Sequence, residues 1–268
     1  MSRKILYPFL IVVVVSLLFY AEKYMDTDQQ VIGNNETVIS NSEEFGKDYL
    51  PSSTTGAIVY HDHYSLSYSE EHEQAEWVAY ELKKSDLSKN EFKRPYFYRD
   101  EKVSTQSADW RNYKKSGYDR GHLCPAGDRR FSKFAYDQTF LTSNVSPQNR
   151  GFNAGIWNRL EQKVRRWANE LDGVYVVTGG VLEKRLETIG SENVSVPKMF
   201  YKIVVDLSSG EPHAVAFLIP NKDTSDSYFN YVVSIDTIEE RTGIDFFPNM
   251  DESAEKNMER STSLKHWK

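Results

Sequence analysis

The feature that most constrains this chain is a helix whose buried face can be read residue by residue. Counting 100° per residue from Asn153, the side chains of Trp157, Leu160, Val164, Trp167, Ala168 and Leu171 fall within about 60° of it. Residues 154–171 therefore read as one amphipathic helix, and Asn153 stands at the head of its apolar stripe. A primary amide aligned with a core face needs hydrogen-bond partners, so Asn153 is either a helix cap or a ligand to something bound. Glu161 lies about 80° and Arg165 about 120° around the same helix, which places a carboxylate and a cation on one shoulder. Around this helix, β-branched and aromatic residues predict strands over residues 56–68 and 76–82, joined by a polar, acidic turn at 70–74. Further strands are expected at 174–178, 200–207 and 213–219, and a short helix at 234–242. No internal repeat is visible.

With 268 residues the chain is long enough for one large domain or two small ones. Its net charge of −6 argues against a protein that binds nucleic acid over its whole surface. Residues 111–166 reverse the sign, with twelve Lys and Arg against four Asp and Glu. A polyanion could dock there; the alternative is a solvated charged helix face. Cys124 is the only cysteine, which excludes an internal disulfide and a multi-cysteine zinc site.

After Arg3 and Lys4, residues 5–21 are uncharged and mostly apolar, and as a helix they would span about 26 Å, just enough to cross a bilayer. The basic residues before this run and Glu22, Asp26 and Asp28 after it place the N-terminus in the cytoplasm and the rest outside. A cleaved signal peptide, giving a periplasmic or secreted protein, is the competing reading. Phe19 occupies a position where cleavage after Ala21 wants a small side chain, so an uncleaved anchor is preferred. Residues 22–52 are polar and acidic and read as a linker, 53–250 as the folded domain, and 251–268 as a charged, unstructured tail.

The chemistry concentrates in three segments: Tyr118-Asp119-Arg120-Gly121-His122, Ser143-Asn144-Val145-Ser146-Pro147-Gln148, and the helix that starts at Asn153. An imidazole such as that of His122 takes a proton from water near neutral pH, although a lone histidine is more often a hydrogen-bonded structural one. The Asn153 carbonyl and a nearby carboxylate are hard oxygen ligands that suit Mg²⁺, with arginines to grip a phosphate. In a straight helix the eight residues from Asn153 to Glu161 span about 12 Å, too far for both to chelate one ion. Either Glu161 acts through water, or the chain before Gly155 curls back.

Read together, Asp119-Arg120-Gly121-His122, Asn144-Val145-Ser146-Pro147-Gln148 and Asn153-x-x-x-Trp157-x-x-Leu160-Glu161 resemble the DNA/RNA non-specific endonuclease family, more loosely from Gly56 to Pro248. The resemblance implies an α+β fold, with a ββα-metal finger embedded in a mixed domain around a central antiparallel sheet. It implies DNA and RNA as substrates and Mg²⁺ as cofactor, with Mn²⁺ as an alternative. By the same resemblance His122 is the general base, Asn153 the metal ligand and Glu161 the carboxylate that holds the metal's water. Arg120 belongs to the motif, Arg165 matches an arginine on the same helix, and Arg94 resembles an upstream arginine near the phosphate.

Other candidates are weaker. Cys124 reads as a small buried hydrophobe rather than a nucleophile. His61 and His63 share one face of a predicted strand, a transition-metal pair if His72 joined them, and otherwise exposed strand histidines. Two rival functions remain open: a catalytically silent nucleic-acid-binding protein of the cell envelope, and a metal phosphodiesterase acting on small molecules.

Overall fold

In a computed structural model, residues 49–208 and 210–268 are described. The anchor expected at 5–21 and nearly all of the linker expected at 22–52 lie outside the described residues. Among the described residues no helix is long and apolar enough to cross a membrane.

The strands follow the hydrophobic alternation. β1 (Ile58–Tyr60), β2 (Ser65–Ser69) and β3 (Gln74–Lys83) form a meander. The single strand expected at 56–68 is thus two. The polar His61-Asp62-His63 stretch turns the chain back, with the His61 amide donating to the Tyr64 carbonyl at 2.9 Å. The short strands β4 (Asp119–His122) and β5 (Val145–Gln148) form their own ladder. β6 (Gly173–Gly180) rejoins the main sheet, and β7 (Thr188–Ile189) and β8 (Val194–Ser195) pair with each other. β9 (Met199–Asp206), β10 (His213–Pro220) and β11 (Val232–Val233) complete a seven-stranded sheet. Its order is β1-β2-β3-β6-β9-β10-β11, antiparallel throughout.

Both faces of this sheet are covered, which explains why its central strands are apolar on alternate positions of either parity. On β3, Val78, Tyr80 and Leu82 pack with Trp157, Leu160, Val164 and Trp167, the predicted helix stripe. Trp77 and Ala79 point the other way, toward Ile235, Ile238, Phe246, Phe247 and Met258.

Everything between Lys83 and Gly173, which are cross-strand partners, is an insertion between β3 and β6. It contains β4, α1 (Lys133–Gln138), β5 and a helical run that ends in α2 (Asn158–Glu170). The helix expected from residue 154 is regular only from Asn158. Asn153–Trp157 is a π-helical turn with Gly155 at φ −96° and ψ −108°, so Asn153 does not sit on a straight extension of α2. β4, β5 and this helix make the ββα unit.

The segment 251–268 departs from the tail expected there. After α3 (Ile235–Thr242) comes α4 (Glu252–Glu259), preceded by Asp251, whose side chain accepts from the amides of Ser253 and Ala254. Met258 and Trp267 are buried, and the Trp167 indole N–H donates to the Trp267 carbonyl at 3.0 Å. Two apolar anchors outweigh the charge around them.

Candidate active site

The β4–β5 ladder pairs Asp119 with Gln148, Arg120 with Pro147, Gly121 with Ser146 and His122 with Val145. Asn144 holds the far end: its Oδ1 accepts from the Cys124 amide at 2.8 Å, and its Nδ2 donates to the carbonyls of Cys124 and Thr139. Ser146 ties the ladder to β3 through the Gln74 Oε1, 2.6 Å away. Gly121 makes room for the buried Gln148 side chain, since a Cβ there would lie 2.0 Å from its Oε1. β5 then runs directly into the helix, where Asn149 caps the amides of Gly151 and Phe152.

Asn153 is therefore not the cap. Its Nδ2 donates to Asp119 Oδ2 at 3.1 Å, linking the helix to the first residue of β4. With the amide nitrogen so engaged, the amide oxygen remains as the atom for a hard cation, in keeping with the donor chemistry such an ion prefers.

His122 lies against Phe97 and edge-on to Phe140, with ring centroids 5.4 and 5.0 Å away. Its Nε2 is buried with no hydrogen-bond partner. Burial first, then the positive charges of Arg94 and Arg120, push its pKa down to about 3, so the imidazole is neutral at pH 7. The Arg94 guanidinium sits over Phe97 and Phe140 at 5.4 and 5.3 Å, and that of Arg120 over Phe97 at 4.8 Å. The structure thus brings His122, Arg94 and Arg120 together around Phe97.

Glu161 belongs to a second group beneath α2. Burial pushes its carboxyl up to about 7; Lys202 opposes that most strongly, Asp128 adds to it and Arg165 opposes it. Lys202 on β9 is fully buried, its ammonium 4.7 Å from the Trp157 ring centroid and without a hydrogen bond. Arg165 is not in the group around His122: its Nη1 donates to Asp128 Oδ1 at 2.6 Å, and Asp128 also accepts from the Tyr80 hydroxyl. Cys124, two residues beyond His122, feels Asp128, Lys202 and Glu161, which places this second group at the end of the β4 motif. The Cys124 thiol is buried and pushed up to about 12, as a small buried hydrophobe would be.

Sequence reasoning missed Phe97, Phe140, Asp128 and Lys202. Lys202 carried a visible sign, a lysine between Phe200 and Val204 on the inward parity of an apolar strand. The basic window is also thinner than its charge count. Arg129 is buried on backbone carbonyls, Arg165 is tied to Asp128, Arg111 to Asp109 and Lys133 to Asp137, while Arg159 holds carbonyls and Lys163 covers Trp167. The histidines expected on one strand are separated by other partners. His61 bonds Asp100 at 2.8 Å with its side chain buried, His63 packs on Phe131, and His72 meets Ser195.

Comparison with known proteins agrees with this architecture. The model of the DNA/RNA non-specific endonuclease family matches residues 41–253. The chain is 34% identical to "Endonuclease G, mitochondrial" of Caenorhabditis elegans, over 79% of this chain and 74% of that one. It is 32% identical to "Nuclease EXOG, mitochondrial" of Homo sapiens, over 85% of this chain and 66% of that one. It therefore spans slightly less than two thirds of the human protein's length. Among solved structures, the EndoG/EndoGI complex matches with a TM-score of 0.68 at 31% identity, covering 74% of this chain and 88% of the other.

Proposed function

Because the chain belongs to the DNA/RNA non-specific endonuclease family, we propose that it hydrolyses phosphodiester bonds of DNA and RNA with little sequence preference, using one divalent cation and His122 as general base. The observation that carries this reading is a neutral, half-buried imidazole beside two guanidiniums that make no ion pair among the described residues. Arg94 and Arg120 hold the scissile phosphate. Its negative charge offsets their field at His122, so the ring becomes a better base once substrate is bound. His122 then takes the proton of the attacking water.

Asn153 would hold the cation through its amide oxygen, and Glu161 would do so through an intervening water, as the hard donors Mg²⁺ or Mn²⁺ accept. A cation bound there supplies charge stabilisation for the pentavalent phosphorus and the leaving oxygen. Arg165 serves this site by fixing Asp128 next to Glu161.

We place the enzyme at a membrane through residues 5–21 with its folded domain outside the cytoplasm, on the strength of that apolar run and its flanking charges. The deciding experiment incubates the protein with plasmid DNA and with RNA, with and without Mg²⁺. Cleavage of both, abolished by chelation, is expected; binding without cleavage would leave only the silent binder.

A further inference from the structure

We infer that α3, α4 and the loop between them carry a second cation site, separate from the nucleolytic centre, that takes a hard divalent cation of the Ca²⁺ class. Asp236 and Glu239 of α3 bring carboxylate oxygens within 4.8 Å of one another and of Glu259 on α4. Asp245, from the loop, and Glu255 form a second such group with Glu259. Glu259 is common to both groups, is only 7% exposed, and its Oε1 is buried with no hydrogen-bond partner.

A buried carboxylate oxygen without a donor is costly unless a proton or a cation meets it. Burial first, then the charges of Glu239, Glu255, Asp236 and Asp245, all carboxylates, push its own carboxyl up to about 8. The nearest basic groups do not answer this. Arg260 reaches only Asp236, at 4.0 Å with its side chain 73% exposed, and Lys256 is paired with Glu252. Glu239 spends one oxygen on the Phe246 amide and keeps the other.

The donor set selects the ion. Carboxylates alone, with no histidine or cysteine, favour hard cations over transition metals. Three carboxylates in either group, with Glu259 in both, exceed the one or two that Mg²⁺ commonly takes and suit the larger, irregular oxygen shell of Ca²⁺. The cation would fasten α4, with Met258 beneath it, to α3 on the face of the sheet opposite α2.

The test is calorimetric titration and thermal unfolding of the full-length protein carrying Asn153→Ala, which silences the nucleolytic cation site. Ca²⁺ should bind and raise Tm by a few degrees over EDTA, more than equal Mg²⁺ does. Adding Glu259→Gln should weaken Ca²⁺ binding at least about tenfold, remove the Tm response, and leave Tm in EDTA no lower, because like charges are relieved. Asp245→Asn with Glu255→Gln provides an independent version should Glu259→Gln fold poorly. A Tm indifferent to Ca²⁺, or a Ca²⁺ response that survives both sets of substitutions, would overturn the site and leave a shared proton as the answer to the buried carboxylates.

Discussion

Asn153 donates its amide hydrogen to Asp119 across 3.1 Å, so the first residue of the β4 motif fixes which way the helix amide faces. The acidic residue of Asp119-Arg120-Gly121-His122 thus works as the orienting partner of a residue 34 positions later. Asp119→Ala should free the amide to rotate and raise the Mg²⁺ concentration needed for half-maximal activity by about 10- to 100-fold. Excess Mg²⁺ should restore much of the rate. Asn153→Ala should follow the same pattern more severely, and a Mg²⁺ titration unchanged in either variant would place the ligand elsewhere.

If the ring acts on water and the arginines hold the backbone, as proposed, His122→Ala should lower turnover by about 10²-fold or more while leaving DNA affinity nearly intact. Full turnover in that variant would falsify the assignment.

The same histidine makes a stability prediction with a definite sign. Its pKa is about 3 in the folded protein, below the ordinary 6.5, so the unfolded chain binds the extra proton between those values. Stability should therefore fall as pH drops from 6.5 toward 3. In urea unfolding at a series of pH values, His122→Gln should show a shallower acid decline than the parent, and parallel curves would mean the ring is not held neutral by its surroundings.

Lys202→Met tests the buried charge group under α2. Glu161 loses the strongest positive influence on it, so its carboxyl should rise further above about 7 and the acid limb of the rate profile should move to higher pH. Turnover at pH 7 should fall, recover on raising the pH, and return with Lys202→Arg. Thermal stability should fall as well, since removing the ammonium leaves the buried Glu161 carboxyl without its strongest positive partner. A profile superimposable on that of the parent would mean Lys202 only packs.

Binding should be electrostatic. If about four cations touch phosphates, log K against log salt should fall with a slope of roughly −3 to −4 on duplex DNA. Arg94→Ala or Arg120→Ala should each flatten the slope by up to about one unit. Arg165→Ala should flatten it least, because its guanidinium is bonded to Asp128. It should act on turnover instead.

How much of this was legible depends on whether the cause was local. The α2 stripe could be read because a 3.6-residue period needs no knowledge of the partner, and Trp157, Leu160, Val164 and Trp167 all bury as counted. The π turn at Asn153–Trp157 was not legible, because a fixed 100° step assumes the straight helix that Gly155 interrupts. His122, Asn153 and Glu161 stood out by motif. Phe97, Phe140 and Lys202 did not, since their proximity to those residues comes from packing between distant segments. The C-terminal anchors Met258 and Trp267 were masked by the charges around them.

The pairing of Lys83 with Gly173 has a kinetic consequence. Every residue of the nucleolytic centre except Lys202 lies on the stretch of chain that this pairing closes, so loop-closure entropy must be overcome before the centre gains its floor. A chain in which β3 and β6 have not paired lacks the surface on which α2 packs, so the centre is complete only when the two ends of its own insertion are held side by side.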